Sequence, residues 1–186
     1  ENHMLFKTAL LATALSLTGA CAMSGDPAPQ RLADAPTISE SRTEEIGALN
    51  HLASIFIDAN NLYGQAAELP DDNGYRVPAS LNALAAARAD IATDLQERVV
   101  ALGGEADTMG EAVGTGHVAF TYLRTALDND TEVAVEEAIR GETYIRDEVD
   151  KALAMSMTAE SRTMLQQVSA QVKADLASLQ QLDRDV

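Results

Sequence analysis

Apolar residues recur at alternating spacings of three and four residues along five segments of this chain. The five stripes cover residues 46–67, 81–102, 109–127, 135–153 and 165–182. Such spacing is typical of an α-helix that buries one face, whereas a half-buried strand alternates with a period of two. Aromatic residues, which favour sheets, make up only 4% of the chain. The pattern therefore predicts an all-α domain.

Capping and turn-forming residues mark the predicted helix ends. Thr43 stands where the N-cap of the first helix is expected, followed by an acidic first turn. Residues 70–74 form a turn cluster, and Pro78 opens the second helix. Gly103 and Gly104 close the second helix, because glycine readily adopts the left-handed conformation of a C-cap. The last helix is expected to start after Thr158.

The connection lengths predict how these helices are arranged. Segments one and two, and segments four and five, are joined by short turns and should form antiparallel hairpins. Segment 108–127 lies between the hairpins and must return the chain to the other end, with Gly110 and Gly114 allowing a close approach. The expected fold is a ferritin-like antiparallel four-helix bundle with an additional helical crossover between the two hairpins.

The first residues follow the pattern of a secretory signal. After Met4 come Lys7, an apolar run over 8–17 and then small residues, a run too short to span a bilayer. We interpret 1–22 as a cloning remnant plus signal peptide, 23–40 as a flexible tether and 41–186 as the bundle domain. The protein is expected to be exported, either to the periplasm or to a lipid-anchored position in a bacterial cell envelope.

Two processing routes remain open for this leader. Ala20-Cys21-Ala22 fits a cleavage site that would release a soluble protein. Residues 17–21 resemble a bacterial lipobox, in which Cys21 would be lipidated and become the new N-terminus. Cys21 is the only cysteine, and the Pro/Ala/Asp-rich stretch that follows would serve as a tether, so lipidation is favoured.

The charge balance restricts the partners that the protein can have. The chain has 13 basic and 29 acidic residues, a net charge of −16, and shows no basic patch. Such a polyanion is not expected to bind nucleic acid, or a membrane other than through a lipid anchor. A protein of the envelope is the expected partner. Bundles of this kind often form homodimers, although the sequence selects no dimer face.

Several stretches resemble a bacterial family of ferritin-like four-helix-bundle proteins that carries a domain of unknown function. The likeness covers about residues 43–183 and rests on the order and spacing of its motifs. They are Leu49-Asn50-x-Leu52 with Asp58 and Tyr63, Leu102-Gly103-Gly104-Glu105, Gly114-x-x-His117-x-x-Phe120 and Arg140-Gly141-Glu142. The last helix departs most, with Asp175 near the position expected for a histidine. The resemblance implies a ferritin-like fold and no established activity.

Polar residues interrupt the apolar stripes near their centres. They are Asn60, Arg88 and Glu142, with Asp175 at the edge of the last stripe. Counted from the end of the bundle at the 70–78 turn, all four fall within about 5 Å of one level, at about 1.5 Å per residue. Buried charges must be paired. We therefore expect a salt bridge from Arg88 to Glu142, extended to Asp175, with Asn60 filling a remaining hydrogen bond.

The alternative interpretation of this layer is a metal site. Glu142, Asp175 and His117 could together hold a single ion, since ferritin-like bundles carry carboxylates and histidines at this depth. A di-iron centre would need Glu-x-x-His on two helices, but isoleucine stands three residues after both Arg88 and Glu142. Arg88 would also place a fixed cation where metals must lie. His51 and Asp58 lie on the opposite side of the first helix and are expected to face the crossover or solvent.

No sequence motif identifies a catalytic residue or a cofactor beyond this single metal ion. The leading hypothesis is a non-enzymatic, envelope or stress-related binding module. The competing hypothesis is a ferritin-like protein that binds Fe, Mn or Zn, or an oxidase-type enzyme. A small-molecule carrier that uses the bundle interior is a third hypothesis, although the leucine- and valine-rich stripes do not suggest a cavity.

Overall fold

A computed structural model describes residues 39–68, 76–110 and 131–185 of the chain. These residues form four α-helices and no strand: α1 is Glu40–Ala66, α2 is Arg76–Ala101, α3 is Thr131–Leu153 and α4 is Ala159–Asp185. The all-α class is therefore confirmed for the described part of the chain. The predicted leader, with Cys21, all of the predicted tether except its last two residues, and most of the predicted crossover segment, with His117, lie outside the described residues. Ser39 and Glu40 were assigned to the tether, but Ser39 is the N-cap of α1 and Glu40 its first residue.

The start of α1 differs from the sequence prediction by four residues. Ser39, not Thr43, precedes the helix in an extended conformation, and its carbonyl accepts hydrogen bonds from the backbone N–H groups of Arg42 and Thr43. The Thr43 hydroxyl donates back to the same Ser39 carbonyl at 3.3 Å. Thr43 thus lies inside the first turns, where its side chain bonds to the preceding turn and cannot cap the helix.

The end of α2 agrees with the prediction. Gly103 has a φ of 84°, and its N–H donates to the Val100 carbonyl at 2.9 Å, while the Gly104 N–H donates to the Val99 carbonyl at 3.0 Å. This pair of bonds is the Schellman motif, which satisfies carbonyls that a helix end would leave unpaired. A Cβ on Gly104 would lie 2.7 Å from Cγ2 of Ile46, so α1 packs directly on this glycine.

Side-chain contacts show which helix ends lie together. Asn50 of α1 donates to the Glu105 carbonyl and accepts from the Asp107 N–H, both at 2.9 Å, just beyond the end of α2. Arg162 of α4 donates to the carbonyl of Leu153, the last residue of α3. The starts of α1 and α4 therefore lie beside the ends of α2 and α3.

The four helices pack in a ring around one apolar core. The neighbouring pairs are α1–α2, α3–α4, α1–α3 and, in looser contact, α2–α4, which leaves α2 and α3 on opposite sides of the core. Fully buried aliphatic side chains come from every helix and include Leu49, Leu81, Leu95, Ile145 and Leu165. Each contributes about 1.5–3 kcal/mol through its burial. No helix in the described ranges combines the length and the apolar content that a membrane span requires.

Candidate functional site

The centre of the core contains an ion pair between α2 and α3. Arg88 of α2 donates from Nε to Glu142 Oε1 at 2.9 Å and from Nη2 to Glu142 Oε2 at 2.5 Å. Neither side chain has any exposed surface. Because α2 and α3 face each other across the core, this two-pronged contact spans the bundle interior. Two parallel charge-assisted bonds fix both the distance and the orientation of the two groups.

A third helix contributes a second carboxylate to the same guanidinium. Asp175 of α4 places Oδ2 at 2.9 Å from Arg88 Nη2 as an ion pair, and its side chain is 30% exposed. Asp175 Oδ2 makes no hydrogen bond to any described residue. The structure thus brings Arg88, Glu142 and Asp175 together in one layer, with Asp175 at its solvent side.

The first helix supplies aromatic rings to this layer. The Arg88 guanidinium carbon lies 5.9 Å from the centroid of the Phe56 ring, a distance at which a cation–π attraction operates. Tyr63 is fully buried, with its hydroxyl near the Glu142 carboxylate. Asn60 is only half-buried and makes no hydrogen bond to Arg88 or Glu142. The predicted role of Asn60 is therefore not seen, because the core-facing side of α1 at this level carries Phe56 and Tyr63.

Burial sets the direction of the pKa shifts in the layer. Burial raises the Glu142 pKa above its ordinary value, and the hydrogen bonds and charge of Arg88 oppose this rise without cancelling it. Burial lowers the Arg88 pKa, but the hydrogen bonds and charge of Glu142 outweigh this, and the pKa rises. Burial, reinforced by the charge of Glu142, raises the Tyr63 pKa well above 10.0. Arg88 and Tyr63 therefore keep their protons throughout the neutral range.

These residues do not fit a metal centre. Within residues 39–68, 76–110 and 131–185, no group of three or more His, Cys, Asp or Glu side chains could hold an ion. Nη2 of Arg88 lies against both Glu142 and Asp175, two of the three ligands proposed from sequence. The third, His117, lies outside the described residues. A metal bound by the two carboxylates would have to displace a guanidinium that both of them contact.

A second polar cluster at one end of the bundle was not predicted. Glu45 of α1, only 3% exposed, accepts from the Thr158 hydroxyl at 2.6 Å and from the Thr158 N–H at 3.2 Å. Arg98 of α2 donates to the hydroxyls of Ser161 and Thr158, each at 2.7 Å. The cluster joins the start of α1, the end of α2 and the start of α4. The dipoles of α1 and α4 stabilise a carboxylate at these two N-termini.

The electrostatics of this end cluster differ from those of the central layer. Burial raises the pKa of Glu45, but hydrogen bonding by Ser161 and Thr158 and the charge of Arg98 together lower it below 4.5. One sequence signal could have revealed the cluster. Glu45 and Ser161 each stand four residues before a buried leucine, Leu49 or Leu165, and so lie in register with the apolar stripes.

The remaining polar residues singled out from the sequence lie on the flanks of α1. His51 Nε2 lies 3.4 Å from Glu148 Oε2 of α3, and the His51 side chain is 35% exposed. The Asp58 carboxylate packs against Gly110, so closely that a Cβ on this glycine would overlap it. Asp58 therefore faces the segment that follows α2, and a glycine at position 110 is required by this approach.

A comparison with family models places the chain in a family. The model described as Domain of unknown function (DUF2383) matches residues 44–155. This range contains Arg88, Glu142 and Glu45, whereas Asp175 and the rest of α4 lie beyond it. The search of curated proteins found no match. Because the matched range is more than half of the 186 residues, the chain belongs to the DUF2383 family.

Proposed function

We propose that this protein is a non-enzymatic helical-bundle module of a bacterial cell envelope that acts by binding another protein. The observation that carries the proposal is the ion pair of Arg88 and Glu142, two fully buried side chains that use each other as partners. Helical bundles with cofactors or metals carry the ligands on such inward-facing positions. Here a guanidinium fills the polar centre, and a substrate would have to break a buried ion pair to reach it. We therefore propose that the described part of the chain acts through recognition at its surface.

The proposal includes a ferritin-like connectivity. It is supported by the helix ends, since the starts of α1 and α4 lie beside the ends of α2 and α3. This arrangement makes α1 parallel to α4 and α2 parallel to α3. The chain must then travel the length of the bundle between α2 and α3, and we infer that the segment 108–127 contains the helical crossover.

The central layer has a structural role in this proposal. A buried ion pair contributes little net stability, because removing two charges from water offsets most of their attraction. It does penalise any arrangement in which its members are unpaired. Contacts from α2, α3 and α4 meet at one guanidinium, so an axial shift of any of these helices would leave a buried charge without a partner.

The envelope location is also part of the proposal and rests on the sequence alone. A lysine, an apolar run and Cys21 within residues 4–22 support export, with lipidation at Cys21 favoured over release at Ala22. Mass spectrometry of the mature N-terminus in a bacterial host tests this directly. We expect a diacylated Cys21, and an intact leader on the isolated protein would contradict export.

Elemental analysis and activity assays test the non-enzymatic role. The chain purified without chelator is expected to contain no stoichiometric Fe, Mn or Zn and to turn over no peroxide or redox substrate. The competing metal-binding function predicts one ion per chain that is lost in Glu142→Ala. Glu160→Ala, at a residue whose side chain is 73% exposed, is the control. Metal lost in the first variant and kept in the second would overturn our proposal.

Chemical cross-linking in intact cells tests the binding role itself. We expect a discrete adduct heavier than the chain, containing one other protein, because a module without chemistry of its own acts through a partner. If cross-linking yielded only monomer and homodimer across a range of linker lengths, the binding role would be wrong.

A further inference from the structure

The seam between α2 and α4 is open along part of its length. A cleft of about 230 Å³ lies there, with walls formed by Ala83, Leu84 and Ala87 of α2 and by Ser178 and Leu179 of α4. Alanine and serine on the two facing helices leave room that larger side chains would fill. The two leucines make the inner wall apolar, so the cleft suits an aliphatic chain.

One charged residue lines this cleft, and it belongs to the central layer. Asp175 contacts the cleft on one side and Arg88 on the other, and its side chain is 30% exposed. Arg88 faces two carboxylates, those of Glu142 and Asp175. The two carboxyl groups outnumber the single guanidinium that they contact. No basic residue lines the cleft in the described part of the chain.

We propose that this cleft receives a lysine side chain of the partner protein, whose ammonium group pairs with Asp175 while its methylene stem lies against Leu84 and Leu179. The inference rests on the proposed binding function and assigns its contact site. An amphipathic side chain of this kind matches an apolar wall with a charge at one end. The chain's net charge of −16 favours a basic partner over long range.

Size and geometry favour lysine over other cations. Pockets for drug-sized molecules usually measure about 300–1,000 Å³, so a cleft of about 230 Å³ suits one long side chain better. Arginine presents a planar fork that is best satisfied by a carboxylate with both oxygens available. Asp175 already shares one oxygen with Arg88, whereas an ammonium group needs only a single acceptor.

A titration of the full chain with a lysine probe tests the site. Nuclear magnetic resonance on isotope-labelled protein would follow the backbone amides of Ala83, Ala87 and Ser178 as Nα-acetyl-lysine methylamide is added. We expect saturable shifts at these amides and none with the norleucine analogue, which has the same stem without the ammonium. Asp175→Asn should weaken binding about tenfold, because a charge-assisted hydrogen bond is lost. Asp147→Asn makes the same charge change on α3, at an exposed residue away from the cleft, and should have no effect.

A second variant closes the cleft without altering charge. Ala83 is exposed, so Ala83→Leu should preserve the helical circular dichroism while filling the cleft and abolishing the shifts. Equal shifts with the norleucine analogue, or equal weakening by Asp175→Asn and Asp147→Asn, would overturn the assignment. A cross-linked adduct in cells that persists in Asp175→Asn and Ala83→Leu would also overturn it, while leaving the proposed binding function standing.

Discussion

Arg88 and Glu142 join two helices that face each other across the core, through two hydrogen bonds of 2.9 Å and 2.5 Å between fully buried groups. Each residue has the other as its main counter-charge. Asp175 adds a second carboxylate from a partly exposed position. The bundle should therefore lose much stability when one member of the pair is replaced, and far less when both are replaced together.

Replacing one member of the pair should destabilise the protein severely. Arg88→Met leaves Glu142 as a buried, unpaired carboxylate, and we expect it to lower the free energy of unfolding by about 3–5 kcal/mol. The double variant Arg88→Met with Glu142→Leu should lie close to the wild type, since apolar residues of similar volume replace both charges. Urea denaturation followed by circular dichroism measures all three proteins, and additive losses in the double variant would contradict the pairing.

The loss of stability at acidic pH should depend on Glu45. Its folded pKa lies below 4.5, so its contribution is present above the unfolded pKa and is lost as pH falls through the folded pKa. We expect the free energy of unfolding to fall less steeply below pH 4.5 in Glu45→Gln than in the wild type. Glu136→Gln, at an exposed residue of α3, serves as the control and should follow the wild-type curve.

Glu142 should titrate in the opposite sense. Its pKa in the folded protein is raised above 4.5. Its contribution to the free energy of unfolding is therefore greatest below the unfolded pKa and is lost as pH rises through the folded pKa. A carbon-detected NMR titration of the Glu142 carboxyl group should show a midpoint pH above 4.5 in the wild type. In Arg88→Met the midpoint should rise further, because the group that opposes the effect of burial has been removed. A midpoint below the ordinary glutamate value in either protein would contradict this account.

Two glycines should respond in opposite ways to the same substitution. Gly103 has a φ of 84° and open space around its Cα, so Gly103→Ala introduces backbone strain alone and should cost about 1–2 kcal/mol. Gly47 lies inside α1 with nothing within 4 Å of an added Cβ, so Gly47→Ala should stabilise the protein by about 0.5–1 kcal/mol. Thermal unfolding of the two variants compares them directly. Equal changes of the same sign in the two melting temperatures would show that backbone conformation is not the cause.

The spacing of apolar residues was enough to predict the helices. It identified the faces that become buried, the C-cap at Gly103 and the start of α4 after Thr158. Arg88 and Glu142 stood out because each interrupts such a stripe, and a polar group on a buried face must find a partner. These features depend on residues a few positions apart, whose geometry the helix itself imposes. The start of α1 was misplaced because Ser39 and Thr43 are both cap-forming residue types, and the pattern between them does not distinguish the two.

The tertiary structure decided which polar groups meet. At the central layer, Phe56 packs on the Arg88 guanidinium, while Asn60 lies one turn further along α1 on its half-buried flank. At the end of the bundle, Glu45, Arg98 and Thr158 come from three distant parts of the chain. Such contacts depend on the axial shift and rotation of each helix relative to its neighbours. Those quantities are set by the packing of the whole core, and no local spacing encodes them.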